Sequence, residues 1–380
     1  MLLLFTLACG QAEGRTCVPP LFEEGLRLHD LDGANLFDLD LIFRQHEICR
    51  RPELHPSERT VALIGNSAVF GLYVAAAESF AGILNERWSS SNAPLHVYNL
   101  GFVTTYQFKD ALIVRQALDY EPDLIVYGIS LADFVHLAPI PWPDTLPRFF
   151  AANDAAIDRL SEEGAAGLEH LVATYRARPQ YKDRLGQRWT RFRESGAYLR
   201  LGVRQNAPKL VNRWLLSPGD GPVGAPAASG KIRQAGPDYR CQKVLDAFGK
   251  SYGEEWSSWN VLAYLEQIAR ERGVDVVVVD LPSQHDPKDE CYNARQPASA
   301  DLAYRHWLRE QASSRDLELW DLHDLLPRSQ FEDSVHPTES GHRKIAETLA
   351  GRIQARLAES PDHAVSGESH AALNAPGPSE

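Results

Sequence analysis

Three residues of the chain have the chemistry of a nucleophile, a base and an orienting acid. Ser67 ends the segment Gly65-Asn66-Ser67, which directly follows a short apolar run, residues 61–64. It is therefore expected at the carboxyl edge of a parallel sheet, where α/β proteins place their ligands. Asp333 and His336 are three residues apart, so the carboxylate can hold the imidazole in the tautomer that accepts a proton. Each pattern alone is more often an ordinary turn, but together they are the residue types that nucleophilic acyl transfer requires.

The elements expected to position these residues alternate between strand and helix. Before residue 139, apolar runs predict strands and amphipathic patterns predict helices: strands over 61–64, 95–100 and 123–128, helices over 79–88 and 109–120. The alternation resumes near residue 256, with helices over 256–272, 300–313 and 341–357 and strands over 274–281 and 317–322. This order is typical of a doubly wound parallel sheet.

The alternation divides the chain into a core in two parts, residues 59–138 and 255–358. Between them, residues 139–254 are predicted to be a mostly helical insertion, with helical character over 151–175 and 198–216 and a Pro/Gly-rich linker at 217–226. Residues 10–58 form an N-terminal extension, and the polar residues 359–380 are expected to be disordered. The predicted fold is a three-layer α/β/α domain with a five-stranded parallel sheet, interrupted by the insertion.

Four segments, in chain order, resemble the sequence blocks of the SGNH/GDSL hydrolase superfamily of esterases and acyltransferases. They are residues 64–71, 98–101, 120–134 and 333–342. The resemblance implies a flavodoxin-like sheet, with Ser67 as nucleophile, His336 as base, Asp333 as the residue that orients it, and the backbone N–H groups of Ser67 and Gly101 as oxyanion donors. It implies hydrolysis of an ester or transfer of its acyl group to a sugar hydroxyl. No cofactor is expected, and no Cys/His spacing suggests a metal site.

Two positions depart from the family's blocks. Asn66 stands where the first block usually has Asp, a change expected to preserve the turn. Ala132 stands where the third block has an Asn whose side chain donates to the oxyanion. Losing one such donor typically costs about 10²–10³ in rate, unless Ser130 or a residue of the insertion substitutes. A second hypothesis is therefore a catalytically silent SGNH domain that acts as a binding or assembly lipoprotein.

The first nine residues, MLLLFTLAC, resemble the end of a bacterial lipoprotein signal in which Cys9 is lipidated. The segment is short and lacks the basic residues that normally open a signal, so a buried N-terminal strand or a cytosolic start is the alternative. The signal predicts an exported protein of the bacterial cell envelope, either anchored to the membrane through the lipid or periplasmic. Its expected substrate is an acylated cell-envelope glycan or lipid.

The other four cysteines, Cys17, Cys49, Cys241 and Cys291, are an even number that suits two disulfides in an exported protein. Cys17–Cys49 and Cys241–Cys291 is the local pairing among three connectivities, and four buried free thiols are the alternative. A net charge of -12 over 380 residues argues against a nucleic-acid partner. No apolar run reaches the roughly 18 residues needed to span a bilayer.

Overall fold

The computed structural model describes residues 39–43, 58–89, 95–102, 107–135, 153–169, 241, 245, 261–286, 288–293 and 296–359. Within them, five strands form one sheet: β1 Arg59–Gly65, β2 Leu95–Gly101, β3 Leu124–Ile129, β4 Asp275–Asp280 and β5 Glu318–Asp321. Their order across the sheet is β2-β1-β3-β4-β5, and every neighbouring pair is parallel. The predicted five-stranded parallel sheet is confirmed.

The inner strands have apolar central runs because helices cover both faces of the sheet. All six residues of β3 are buried, and β4 reads DVVVVD with only its first residue partly exposed. A strand covered on both faces has no solvent side, so the sequence shows a continuous run of Val and Ile instead of alternation.

Nine α-helices lie within the described residues: α1 Leu39–Phe43, α2 Ser67–Phe70, α3 Phe80–Ser89, α4 Gln107–Ala117, α5 Ala132–Val135, α6 Asp154–Glu162, α7 Val261–Arg272, α8 Ala298–Ser314 and α9 Glu339–Glu359. Helices α4, α6, α7 and α8 share one apolar cluster with one face of the sheet. Helices α3 and α9 share a second cluster with the opposite face. The three-layer α/β/α arrangement is therefore also confirmed.

The helical stretch predicted over 151–175 is interrupted. Among its described residues, Asp154–Glu162 is a helix, a turn region follows up to Leu168, and Glu169 is helical again. The helix ends because Gly164 adopts a left-handed backbone with φ of 61°. Its N–H donates to the Ser161 carbonyl, and the Ala165 N–H donates to the Leu160 carbonyl, which together form a Schellman cap. The helical character predicted over 198–216 lies outside the described residues.

Of the two disulfides in the local pairing, the structure contains Cys241–Cys291, with the two Cα atoms 5.6 Å apart. This bond ties the insertion to the second part of the core, and that prediction is confirmed. Cys9, Cys17 and Cys49 lie outside the described residues, as do most of the predicted extension, insertion and tail. None of the helices described is long and apolar enough to cross a membrane.

Candidate active site

Glycines at the ends of three neighbouring strands allow the loop that carries Ser67 to lie close to the sheet. Gly65, the last residue of β1, is paired with Gly101 of β2 and Gly128 of β3. A Cβ atom on Gly101 would lie 2.4 Å from the Phe70 nitrogen, and one on Gly65 would lie 2.5 Å from the Gly128 carbonyl oxygen. Since no side chain fits in either gap, helix α2 can start directly above the strand ends.

Ser67 is the first residue of α2, and Asn66 caps that helix. The Asn66 Oδ1 accepts a hydrogen bond from the Ala68 N–H at 2.9 Å. The Ser67 N–H makes no hydrogen bond within the part of the chain that the structure describes. It therefore stays available at the start of the helix, where backbone N–H groups stabilise negative charge.

The structure brings Ser67, His336 and Asp333 together as one hydrogen-bonded chain, although Ser67 and His336 are 269 residues apart. The Ser67 Oγ lies 2.8 Å from His336 Nε2, and His336 Nδ1 lies 2.8 Å from Asp333 Oδ2. A carboxylate at Nδ1 holds the proton on that nitrogen and leaves Nε2 free to accept the serine proton. Ser67 and His336 are both buried, so few water molecules compete for this contact.

Asp333 is held as a carboxylate by its own loop. Its Oδ1 accepts hydrogen bonds from the backbone N–H groups of Val335 and His336, each at 2.9 Å. Partial burial raises the pKa of Asp333, but its hydrogen bond and charge interaction with His336 and the two backbone donors outweigh that effect and lower the pKa to about 2. The group therefore carries its charge at neutral pH, as a residue that orients an imidazole must.

The loop after β4 fixes the position of the Asp333 loop. Gln284 donates through Nε2 to the Asp333 carbonyl at 2.9 Å, and its backbone N–H donates to the Ser334 carbonyl at 3.1 Å. Asn293 adds donations from Nδ2 to the carbonyls of Gln284 and Ser334. Sequence reasoning missed both residues. The position of Gln284 just beyond a strand end was the one signal that could have indicated it.

A buried polar network joins the Ser67 loop to the loop after β3. The Asn66 Nδ2 donates to Ser130 Oγ at 3.1 Å and to Asp133 Oδ2 at 2.8 Å. Asp133 Oδ2 also accepts from the Ser130 N–H and hydroxyl. Burial, and next the charge of Asp110, raise the pKa of Asp133 to about 7. This network fixes residue 66, and with it the start of α2.

A buried ion pair lies beneath the same loop and was not predicted. Lys109 Nζ is 2.8 Å from Asp110 Oδ1, and both side chains are 1% exposed. Lys109 also donates to the Gly65 carbonyl at 3.3 Å, and Tyr127 donates through its hydroxyl to Asp110 Oδ2 at 3.1 Å. Burial raises the pKa of Asp110, and Lys109 opposes that effect. The pair supports the end of β1 from the side of α4.

The oxyanion donors that the resemblance implies are only partly available in this conformation. The Gly101 N–H donates to Asn99 Oδ1 at 3.1 Å and is therefore already engaged. Ser130, the suggested substitute for the missing Asn, donates its hydroxyl proton to Asp133 at 3.1 Å. That engagement corrects the suggestion that Ser130 supplies the donor. Ala132, the first residue of α5, has no polar side-chain atom to offer.

A sequence model of the family described as "GDSL-like Lipase/Acylhydrolase" matches residues 113–349, which is more than half of the chain. The chain belongs to this family. The matched residues include Asp333 and His336 and begin after Ser67 and Gly101. Membership confirms the superfamily that the sequence blocks indicated, and it supports ester hydrolysis or acyl transfer as the general chemistry.

The solved structures that match the chain are distant in sequence. A lipolytic protein of the G-D-S-L family from Veillonella parvula is 10% identical with a TM-score of 0.34, over 78% of this chain and 98% of its own. A carbohydrate acetylesterase family member from Sinorhizobium meliloti is 12% identical with a TM-score of 0.37, over 79% of this chain and 99% of its own. Est24, a carbohydrate acetylesterase from the same organism, is 11% identical with a TM-score of 0.35, over 78% and 99%. None of the curated proteins compared with the chain matches it.

One group of side chains in the described ranges could hold a metal ion, and sequence reasoning did not find it. The ligand atoms of His285, Asp301 and His323 all lie within 4.8 Å of one another. His323 Nε2 is 2.9 Å from Asp301 Oδ2, and His285 Nε2 is 3.2 Å from Asp324 Oδ1. In this arrangement each imidazole lies beside a carboxylate, as it does in an ordinary His–Asp ion pair.

Proposed function

We propose that the protein is a serine esterase or O-acyltransferase that acts on acylated carbohydrates or lipids, with Ser67 as its nucleophile. The observation that carries the proposal is the hydrogen-bonded chain from Ser67 Oγ through His336 to Asp333, with both contacts at 2.8 Å. Nucleophile, base and orienting group then stand in the order that acyl transfer requires. Family membership supports the same general chemistry.

The reaction proceeds in two halves. In the first, Ser67 Oγ forms a bond to the ester carbonyl carbon while His336 Nε2 takes the serine proton. The bond from that carbon to the alcohol oxygen then breaks, and His336 gives its proton to the leaving alcohol. In the second half, water or a sugar hydroxyl forms a bond to the acyl carbon while His336 takes its proton. The bond from that carbon to Ser67 Oγ then breaks, and His336 gives the proton to Ser67, which regenerates the enzyme. Water as acceptor makes an esterase, and a sugar hydroxyl makes an acyltransferase.

The negative charge on the carbonyl oxygen needs donors in the transition state. We assign this role to the backbone N–H of Ser67, which lies at the start of α2, and to that of Gly101. The Gly101 N–H serves only when the Asn99 side chain releases it, because the two are 3.1 Å apart in a hydrogen bond. The side-chain donor expected at residue 132 is replaced by a methyl group.

The proposal includes export to the bacterial cell envelope, with Cys9 lipidated. The support is the apolar segment that ends in Ala8 and Cys9, together with the Cys241–Cys291 disulfide, since disulfides persist in oxidising compartments. Export to the envelope would bring the enzyme to acylated glycans or lipids there. It does not distinguish water from a sugar hydroxyl as the acceptor.

A second candidate is a catalytically silent binding or assembly protein, which is favoured by Ala132 and by the engaged Gly101 N–H. Labelling by a fluorophosphonate probe separates the two, because the probe reacts with an activated serine. We expect wild-type protein to be labelled and Ser67→Ala not to be. Ser340→Ala, a change at an exposed serine of α9, is the matched control and should be labelled like the wild type. If folded wild-type protein does not react with the probe, the enzymatic function is rejected and the binding or assembly function is retained.

A further inference from the structure

Tyr73 occupies a backbone position that ordinarily selects glycine. It follows α2 in a turn that is closed by the Val74 N–H, which donates to the Gly71 carbonyl at 3.3 Å. Tyr73 is the third residue of that turn and has φ of 76°. Turns with positive φ at this position usually carry Gly or Asn there, and a bulky side chain at such an angle is rare. The turn therefore holds an aromatic ring where the backbone disfavours one.

Burial in the core does not explain why the ring is kept. Tyr73 is 54% exposed, and the only other large hydrophobic side chain so exposed among the described residues is Leu302. The one ring that Tyr73 contacts in this part of the chain is the imidazole of His336, edge to face, with centroids 5.2 Å apart and planes at 89°. Strained residues of this kind are concentrated at sites that bind ligands.

The position beside His336 determines which half of an ester Tyr73 would meet. His336 Nε2 takes the proton from Ser67 and returns it to the oxygen of the leaving alcohol, so this oxygen must come within hydrogen-bond reach of the imidazole. The carbonyl oxygen instead turns toward the Ser67 N–H. A ring packed on His336 therefore faces the alcohol half of the ester and not the acyl half.

We propose that Tyr73 forms a binding subsite for the alcohol half of the ester, and that this alcohol is the sugar ring of an acylated carbohydrate. The inference rests on the proposed function and specifies its substrate class. A pyranose has an apolar C–H face that packs on an aromatic ring, while its hydroxyl groups remain hydrated. A ring that is more than half exposed suits such a ligand, whereas a long lipid chain would need an enclosed apolar surface.

The test compares esters that share one acyl group and differ in the alcohol. The substrates are methyl 6-O-acetyl-glucopyranoside and ethyl acetate, and ethyl butyrate reports on the acyl half. In Tyr73→Gly and Tyr73→Asn, both of which suit a positive φ, the ratio of the sugar-ester KM to the ethyl acetate KM should rise about 3- to 10-fold. The ratio of the ethyl butyrate KM to the ethyl acetate KM should stay within twofold of the wild-type ratio. Tyr73→Phe should resemble the wild type, and Leu302→Asn is the matched control with neither ratio changed.

A binding measurement keeps this inference separate from the proposed function. Titration of the acetylated glucoside into Ser67→Ala protein, followed by NMR, needs no turnover. Adding Tyr73→Gly to that protein should weaken binding by a similar factor. Equal binding by the two proteins, or an equal KM change for sugar and ethyl esters, would overturn the sugar subsite. If wild-type protein does not react with the fluorophosphonate probe but still binds the glucoside through Tyr73, the esterase proposal is rejected and the sugar-binding subsite is retained.

Discussion

The Asn66 side chain donates through Nδ2 to Asp133 Oδ2 at 2.8 Å, inside the buried network beside Ser67. An Asp at position 66 could not make this donation, and it would place a second carboxyl group next to Asp133, which is itself fully buried. Asn at position 66, in place of the family's usual Asp, therefore suits the contact with the buried carboxyl group of Asp133. Asn66 keeps its capping function as well, because its Oδ1 still accepts from the Ala68 N–H.

We predict that Asn66→Asp lowers the free energy of unfolding by about 1–3 kcal/mol, since it removes a donor from a buried carboxyl group. Asp133→Asn in the same chain should recover most of the loss, because the amide then donates in the opposite direction. A double-mutant cycle measured by urea denaturation gives the coupling. Losses that simply add across the two positions would show that residues 66 and 133 act independently.

The acidity of Asp133 and Asp280 predicts how stability depends on pH. Burial is the main cause that raises both pKa values, each to about 7, above the ordinary value of 3.8. The folded protein therefore holds protons that the unfolded chain has lost, so stability falls as the pH rises from about 4 to 7. Asp333 acts in the opposite direction, because its pKa is lowered to about 2. Its contribution is present above about pH 4 and is lost as the pH falls toward 2.

Asp133→Asn tests this dependence directly. Between about pH 4 and 7, the slope of unfolding free energy against pH should become less negative by up to about 1.4 kcal/mol per pH unit. The measurement is urea denaturation at several pH values, with Asp286→Asn, a change in the loop that follows β4, as the control. An unchanged slope would mean that Asp133 is already ionised in the folded protein.

The sheet and the three central residues could be predicted because both depend on short-range patterns. The residues of β3 and β4 are buried on both faces, so each strand stands out as an apolar run. The Asp333–His336 spacing is a local turn. The ion pair of Lys109 and Asp110 could not be predicted, because two adjacent charged residues in a helix are normally solvated. Their burial depends on the Gly65 carbonyl and on Tyr127, which are distant in sequence.

The conformation of Tyr73 could not be predicted from the sequence either. Turn residues are recognised by Gly, Asn, Asp or Pro at characteristic positions, and Tyr73 breaks that rule at the position where the rule is strongest. Likewise, Gln284 braces the Asp333 loop through a contact across two strand ends. Such contacts arise from the packed sheet, and a local pattern gives at most the position of Gln284 just beyond a strand end, not the residue that it contacts.

If Asp333 orients His336, then Asp333→Asn should lower kcat on a short-chain ester by as much as about 10⁴, because the amide favours the wrong imidazole tautomer. Ser67→Ala and His336→Ala should each abolish turnover, since the three residues act as one unit. Glu332→Gln changes the neighbouring acid and is the matched control, with kcat close to that of the wild type. Equal turnover by wild type and Ser67→Ala would end the assignment of Ser67 as nucleophile.

If Cys9 is lipidated, protein expressed in a bacterial host should partition with membranes, and Cys9→Ser should release it to the soluble fraction. The reason is that acyl chains attached to Cys9 would insert into the bilayer and hold the protein there. Cell fractionation with mass spectrometry of the N-terminal peptide provides the measurement, and Cys17→Ser serves as the control. Unmodified Cys9 in protein recovered from the cytosol would refute both the anchor and the export.

Ala132→Asn tests whether the missing oxyanion donor limits the enzyme. Ala132 precedes Asp133, whose carboxyl group is bound to the residue before Ser67, so an amide at position 132 starts from a backbone fixed to the nucleophile's loop. The added N–H should stabilise the tetrahedral intermediate and not the ground-state ester, which raises kcat with little change in KM. A complete donor contributes about 2.7–4 kcal/mol, and a site not shaped for one returns less, so we expect kcat to rise at least several-fold. Ala132→Leu is the control of similar volume without a donor and should give no gain. An unchanged or lower kcat in folded Ala132→Asn protein would mean that the Ser67 and Gly101 N–H groups already suffice.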